Sequence, residues 1–399
     1  MVSEDIIRTI ISENTILQDN KSRIKRECEI NINSNLIIVI SGIRRCGKST
    51  LLLQGLKDIE TKVVLNFEDT RLTGFENTDF LKVEKIAESL NTKYMVFDEI
   101  QNLNEWEKYI RSAHDKGYNI YITGSNASIL SRELGTKLTG RYKQTELFPF
   151  NFNEYLLYLN VSANPQTFQD YLQKGGFPEA LQSSDAEYLR TLLRDIVVRD
   201  IAVRRNIKND TLLLRLALNL VSNIGKEISF NNITNTLSIK SVRSTIDYCD
   251  YLKESYLFDF IPRFSFSIKQ QLNNPKKVYC IDTGMAKANS LSMSEDYGRM
   301  LENAVFLKLR SYTPDIMFYS DNQSECDFLV RRNEDILFAV QVCWLLNSEN
   351  LKRELTGLQN AINTTHAPKG IIVTFDQEDT FGDIKVVPAW KWLCEDIEL

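Results

Sequence analysis

The chain has 399 residues, 43% hydrophobic and 25% charged, with 16 Gly and 8 Pro. That is enough length for roughly two or three domains with buried cores, and the composition excludes a fibrous or low-complexity protein. A formal net charge of −5 rules out a uniformly basic coat, so any nucleic-acid site has to be local.

Residues 1–14 mix Glu4, Asp5, Arg8 and Glu13 into short apolar runs, and the chain has no run of about 18 apolar residues, so the expected setting is cytoplasmic, with no membrane partner. Seven cysteines without a CxxC pair and two distant histidines, His114 and His366, argue against zinc and disulfide frameworks and for a reducing compartment.

The run 34–42 is apolar and ends in glycine, which suits a strand buried on both faces of a parallel sheet. Further strand-like runs at Val63–Phe67, Tyr94–Phe97 and Ile120–Thr123 alternate with helix-like stretches at Ser49–Ile59 and Trp106–Lys116. This alternation predicts an α/β domain over 1–150, closing near Phe148-Pro149-Phe150. A helical region follows over 151–210, carrying Arg190, Arg194, Arg199, Arg204, Arg205 and Lys208. The stretch 211–264 has the helix, turn, helix, helix and extended-segment order of a winged helix-turn-helix, with Ser241–Leu252 as its recognition helix. Residues 275–399 alternate strands and helices again, beginning with Lys277–Ile281, and read as a separate α/β domain.

Gly42-Ile43-Arg44-Arg45-Cys46-Gly47-Lys48-Ser49 fits G-x-x-x-x-G-K-[ST] directly after a predicted buried strand and at the start of a helix, with Thr50 next in the chain. The two glycines let the backbone curl so that successive N–H groups face phosphate oxygens, aided by the positive end of the helix. Lys48 is the expected contact to the β- and γ-phosphates, and Ser49 the expected Mg²⁺ ligand. Tyr94-Met95-Val96-Phe97-Asp98-Glu99 is an apolar strand ending in two acids, which places Asp98 beside the metal and makes Glu99 the base for an attacking water. The same acids also suit a helix cap. After the strand 120–123, Asn126 is the first choice and Ser125 the second for orienting that water or sensing the γ-phosphate, although Gly124-Ser125-Asn126 also suits a plain turn. Arg141 has two readings: an arginine finger reaching a neighbouring copy in a ring or dimer, or a surface ion pair.

These motifs resemble the prokaryotic AAA-type P-loop ATPases that carry a C-terminal domain of unknown function. Carrying the resemblance are Gly42–Thr50, Asn66-Phe67-Glu68-Asp69, Asp98-Glu99-Ile100-Gln101, Ile122–Asn126, Leu138-Thr139-Gly140-Arg141 and Phe148-Pro149-Phe150, and, further on, Gly175-Gly176-Phe177-Pro178, Lys277–Gly284, Gly298 with Glu302-Asn303, and Pro388–Leu393. The resemblance implies ATP and Mg²⁺ as ligands, an added strand between the two nucleotide motifs, a winged helix, and a C-terminal fold related to the PD-(D/E)xK nucleases. The preference for adenine comes from the resemblance alone.

In that nuclease pattern Glu302 and Asp327 match the first two acids, but Gln341-Val342-Cys343 stands where acid-x-Lys belongs. Glutamine is a poorer Mg²⁺ ligand than a carboxylate and cysteine supplies no ammonium, so nuclease catalysis by the usual route is not expected. The acidic residues Asp195, Asp200 and Asp210 interleave with the arginines of the helical region, which favours ordinary surface pairs over a phosphate-binding face. The expected function is a nucleotide-driven switch that hydrolyses ATP and is coupled to DNA through the winged helix or to a protein partner of the C-terminal domain. The alternative is a nucleotide-gated docking module with negligible turnover.

Overall fold

Continuous runs of aliphatic and aromatic residues become the central strands of the first unit. The computed structural model describes residues 1–16, 24–32, 34–125, 138, 140–183, 185–291, 296–321, 323–333 and 335–397. They divide into two units, Met1–Phe148 with Glu254–Tyr256, and Pro149–Lys253 with Leu257–Leu399.

In the first unit β1 (Ile37–Gly42), β2 (Val63–Asn66), β3 (Tyr94–Asp98), β4 (Asn119–Gly124) and β5 (Tyr142–Leu147) form a sheet in the order β2-β3-β4-β1-β5. Every ladder in it is parallel. Every residue of β1 is buried, because helices cover both faces of such a sheet and leave no polar alternation. Strand β4 lies between β1 and β3, so the strand tips at Gly42, Gly124 and Asp98 meet along one edge, where open α/β sheets build their sites.

Residues 1–16, to which periodicity assigned no element, form α1 (Glu4–Ile16), with Ile7, Ile10 and Ile11 buried at helical spacing. The helix after the glycine-rich loop, α2 (Lys48–Gly55), is followed by α3 (Phe80–Ser89) and α4 (Trp106–Asp115). Phe80 of α3 stacks on Tyr109 of α4 with ring centroids 3.8 Å apart, and both rings contact Phe97 of β3 edge-on. This aromatic cluster anchors the strand that ends in Asp98.

The second unit opens with helices α5 (Phe152–Leu159), α6 (Pro165–Lys174), α7 (Pro178–Ser183) and α8 (Ala186–Asp195), the last running into a π-type segment at Ile196–Val203. Next come α9 (Asp210–Val221), β6 (Glu227–Ile228), α10 (Phe230–Thr236), α11 (Val242–Glu254), β7 (Phe258–Pro262), α12 (Ile268–Asn273) and β8 (Lys276–Cys280). Strand β8 is antiparallel to both β6 and β7, in the order β6-β8-β7. The run at 277–281, grouped by its sequence with the domain that follows, therefore pairs with strands before it. An apolar strand pattern fixes which faces are buried but does not name the partner strand.

The remaining elements are α13 (Thr283–Asn289), α14 (Tyr297–Tyr312), β9 (Ile316–Ser320), β10 (Glu325–Arg332), β11 (Asp335–Cys343), α15 (Leu351–Thr365), β12 (Gly370–Thr374), β13 (Asp379–Phe381), β14 (Ile384–Pro388) and α16 (Ala389–Trp392). Their strands form a mixed sheet in the order β13-β14-β12-β11-β10-β9. Its core includes Leu329, Ala339, Ile372 and Val386, packed with Leu358 and Ala361 of α15.

Two motifs singled out in the sequence meet inside this unit. Asp282 caps α13 by accepting from Met285 N (2.7 Å) and also accepts from Gly176 N (2.6 Å). A Cβ at Gly176 would collide with the Phe150 carbonyl, and one at Gly284 with the Lys174 carbonyl, so these glycines are required by close backbone approach. Among the described residues no helix is long and apolar enough to cross a membrane.

Candidate functional site

The glycine-rich loop leaves β1 at Gly42 and enters α2 at Lys48. A Cβ at Gly42 would strike the Leu147 carbonyl of β5, and Gly47 caps α2 with φ 99°, a conformation open chiefly to glycine. Arg45 also has positive φ, 68°. Ile43 and Cys46 are fully buried beneath the loop, and Thr50 is half-buried in the first turn of α2. The buried Arg26 braces the loop from behind, donating to the Cys46 carbonyl at 2.9 Å and the Phe148 carbonyl at 2.7 Å. Arg44 pairs with Glu68 at 2.7 Å. Burial pushes the Cys46 thiol above its ordinary pKa, which disfavours the thiolate.

Lys48, Ser49, Asp98 and Glu99 converge at the strand tips. Lys48 is 4% exposed, and its ammonium lies 3.2 Å from Glu99 Oε1 and donates to the Ile43 carbonyl at 3.2 Å. Burial alone would lower its pKa, but the neighbouring Glu99 charge reverses that and keeps the group cationic. Burial would likewise raise Glu99, yet Lys48 and a hydrogen bond from Gln101 hold it below the usual carboxylate value. Ser49 Oγ is 2.9 and 2.7 Å from the two oxygens of Asp98. Burial, followed by the Glu99 charge, pushes the Asp98 carboxyl up despite hydrogen bonds from Thr123 and Ser49.

Glu99 stands in the left-handed region at φ 51° and ψ 46°, a conformation rare for a residue with a side chain. Its backbone N–H donates to Thr123 Oγ1 at 3.0 Å, and Thr123 Oγ1 in turn donates to Asp98. Gln101 Nε2 reaches both Glu99 Oε2 and, at 3.1 Å, Ser125 Oγ. Sequence reading assigned no separate role to Thr123, Gln101 or Arg26. A polar residue closing an apolar strand was a usable signal for Thr123, and the i+2 spacing from Glu99 for Gln101. Nothing local marks Arg26.

The other expected site residues stand apart. Asn126 lies outside the described residues. The Arg141 carbonyl accepts from Ile37 N at 2.8 Å, which places Arg141 where β1 begins, at the sheet edge opposite the loop. Its Nε is 3.5 Å from Asp115, so within its own chain Arg141 is not at this site. In the second unit Glu302 and Asp327 both contact the Lys277 ammonium. Of the basic helical stretch, Arg199 pairs with Asp195 at 3.5 Å and Arg205 lies over the Tyr251 ring at 4.6 Å.

This arrangement, a curled loop after a central strand with a lysine, a hydroxyl and two acids at the neighbouring tips, defines a P-loop domain. Comparison with known proteins agrees: residues 34–156 match the AAA domain family, and residues 165–296 match a domain of unknown function, DUF8612. The chain is 35% identical to the uncharacterized protein MJ1544 of Methanocaldococcus jannaschii, over 98% of this chain and 97% of that one. It is 30% identical to an uncharacterized protein of Haemophilus influenzae, over 91% of this chain and 95% of that one. The chain belongs to the family of these two proteins. Among solved structures, the replication initiator DnaA bound to AMPPCP and single-stranded DNA is similar over 56% of this chain and 83% of that one, at 14% identity and a TM-score of 0.31.

Proposed function

We propose that the chain binds ATP with Mg²⁺ and hydrolyses it, using the cycle as a conformational switch. The observation that carries this reading is the convergence of Lys48, Ser49, Asp98 and Glu99 beside the loop. Loop residues 42–50 and the Lys48 ammonium would hold the phosphates. The hydroxyl of Ser49 and the carboxylate of Asp98 are hard oxygen donors that suit Mg²⁺. When bound, Mg²⁺ neutralises phosphate charge and steadies the leaving group. Glu99, kept ionised by Lys48, is the base that orients and deprotonates water, and Gln101 fixes its rotamer. In this reading Asn126 senses the γ-phosphate, and Arg141 acts on the site of a neighbouring copy in a homo-oligomer.

We read α9 to α11 with the β6-β8-β7 sheet as a winged helix, and the segment 275–399 as a nuclease-like fold without nuclease activity. On α11 and its approach, the exposed Lys240 and Arg243 are opposed by Asp247 and the exposed Asp250. That mixture lacks the one-signed face that phosphate neutralisation requires, and it favours a protein partner over DNA as what the switch drives.

Equilibrium dialysis of labelled ATP tests the binding step. Lys48→Ala should weaken Mg·ATP binding about 100-fold, since it removes charge-assisted contacts to phosphate. Unchanged affinity in that variant would refute the reading. Duplex DNA should leave turnover unchanged, and a DNA-stimulated rate would replace the protein-partner reading.

A further inference from the structure

The second unit holds a buried lysine that the nucleotide reading does not use. On β8, Lys276 is half-buried while Lys277 is 2% exposed, and the Val278, Tyr279 and Cys280 that follow it are buried as well. The Lys277 ammonium lies 3.0 Å from Glu302 of α14, 2.8 Å from Asp327 of β10 and 2.6 Å from Glu325 of β10. Burial alone would pull its pKa down, but the carboxylates raise it well above the ordinary value. The Phe318 ring completes the shell, 5.6 Å away.

Glu302 and Asp327 are held by further partners, while the Glu325 side chain is half exposed. Tyr279 donates to Glu302 Oε1 at 2.6 Å, and Val342 N donates to Asp327 Oδ2 at 2.9 Å. Both ends of the Gln341 amide are engaged: its Nε2 donates to Glu354 at 2.6 Å and its Oε1 accepts from Asp327 N at 3.3 Å. A Cβ at Gly225 would stand 2.9 Å from Glu302 Oε2, so the backbone closes over that acid. Asn303, beside Glu302 on α14, grips β8 through both the N–H and the carbonyl of Cys280, at 2.8 and 2.9 Å.

A nuclease-type metal at Glu302 and Asp327 does not fit these residues. One oxygen of each acid is committed to an ammonium, and Gln341 Oε1 is engaged by Asp327 N. Among the described residues no group of three or more His, Cys, Asp or Glu could hold a metal ion.

We propose that Lys277 is the resident cation of this pocket: its tethered ammonium closes the pocket to divalent metal and rivets the β6-β8-β7 sheet to the six-stranded sheet. This inference does not depend on the nucleotide reading. A movement delivered to the three-stranded sheet is then passed to the C-terminal sheet instead of being absorbed between them.

The test uses the full nucleotide-free chain in an Asp98→Asn background, so that the phosphate-loop acid does not contribute, with Mn²⁺ binding read by electron paramagnetic resonance. With Lys277 present, no Mn²⁺ should bind in a way that Asp327→Asn abolishes. Lys277→Ala should gain one bound ion that a further Asp327→Asn removes. It should also melt roughly 10 °C lower, because the buried Glu302 and Asp327 lose their counter-ion, and recover part of that loss with Mn²⁺. Mn²⁺ binding or DNA nicking by the Lys277-containing chain, abolished by Asp327→Asn, would overturn the proposal. An unchanged melting temperature in Lys277→Ala would overturn the rivet. The Asp327→Asn comparison keeps the metal claim testable even where Lys277→Ala fails to fold.

Discussion

Two buried ammonium groups in this chain sit among carboxylates in different ways. Lys48 opens a helix at a strand tip and faces one carboxylate, Glu99, at 3.2 Å. Lys277 sits within a strand at the centre of its sheet and faces three, all within 3.0 Å. A singly paired lysine beside a curled loop can exchange its partner for phosphate and leave Glu99 to Gln101. A triply paired lysine on a strand held by its neighbours has nothing comparable to exchange. Buried charge is therefore no sign of function by itself: the number of partners and the freedom of the backbone decide whether it is a switch or a rivet.

The widest separation between the two should appear in stability. Lys277→Ala is expected to destabilise the second unit by about 3–5 kcal/mol, the cost of stranding buried charge, while leaving the Mg·ATP affinity of the first unit unchanged. Urea titration and dialysis on the same variant check both halves, and a large loss of affinity would dissolve the distinction.

A smaller effect concerns the glycine-lined junction of the second unit. Burial, against three backbone N–H donors, pushes Asp282 up to about 6. The folded state then holds its proton more tightly than the unfolded chain does. This group's contribution is full below about pH 4 and is lost as pH rises through about 6, by up to about 3 kcal/mol. Wild type and Asp282→Asn compared in urea between pH 4 and 7 should show that slope only in wild type.

Smaller still, Gln101→Ala should lower turnover about tenfold by freeing the Glu99 rotamer, with nucleotide affinity unchanged in dialysis. An unchanged rate would remove Gln101 as a positioning residue.

Much of the first site was legible because its chemistry is local. Eight consecutive residues, Gly42 to Ser49, specify the loop, and the acids follow an apolar run that could only be a buried strand. Of the sheet, only the strand added between the two nucleotide motifs was expected, and that through resemblance, since periodicity does not choose neighbours. Arg26 escaped because its partner Cys46 lies 20 residues away in sequence. The Lys277 pocket escaped for the same reason, at separations of 25 and 50 residues to Glu302 and Asp327. Nothing in the Lys276-Lys277 pair says which ammonium is buried until β8 has chosen its partners.

The most direct measurement is the Mg²⁺-dependent rate of ATP hydrolysis by wild type and Glu99→Gln, with nucleotide binding followed in parallel. The account predicts steady turnover in wild type and a fall of about 100-fold or more in the variant, with affinity retained, as the loss of a general base requires. Equal rates in the two proteins would contradict it and leave the loop a binding switch without catalysis.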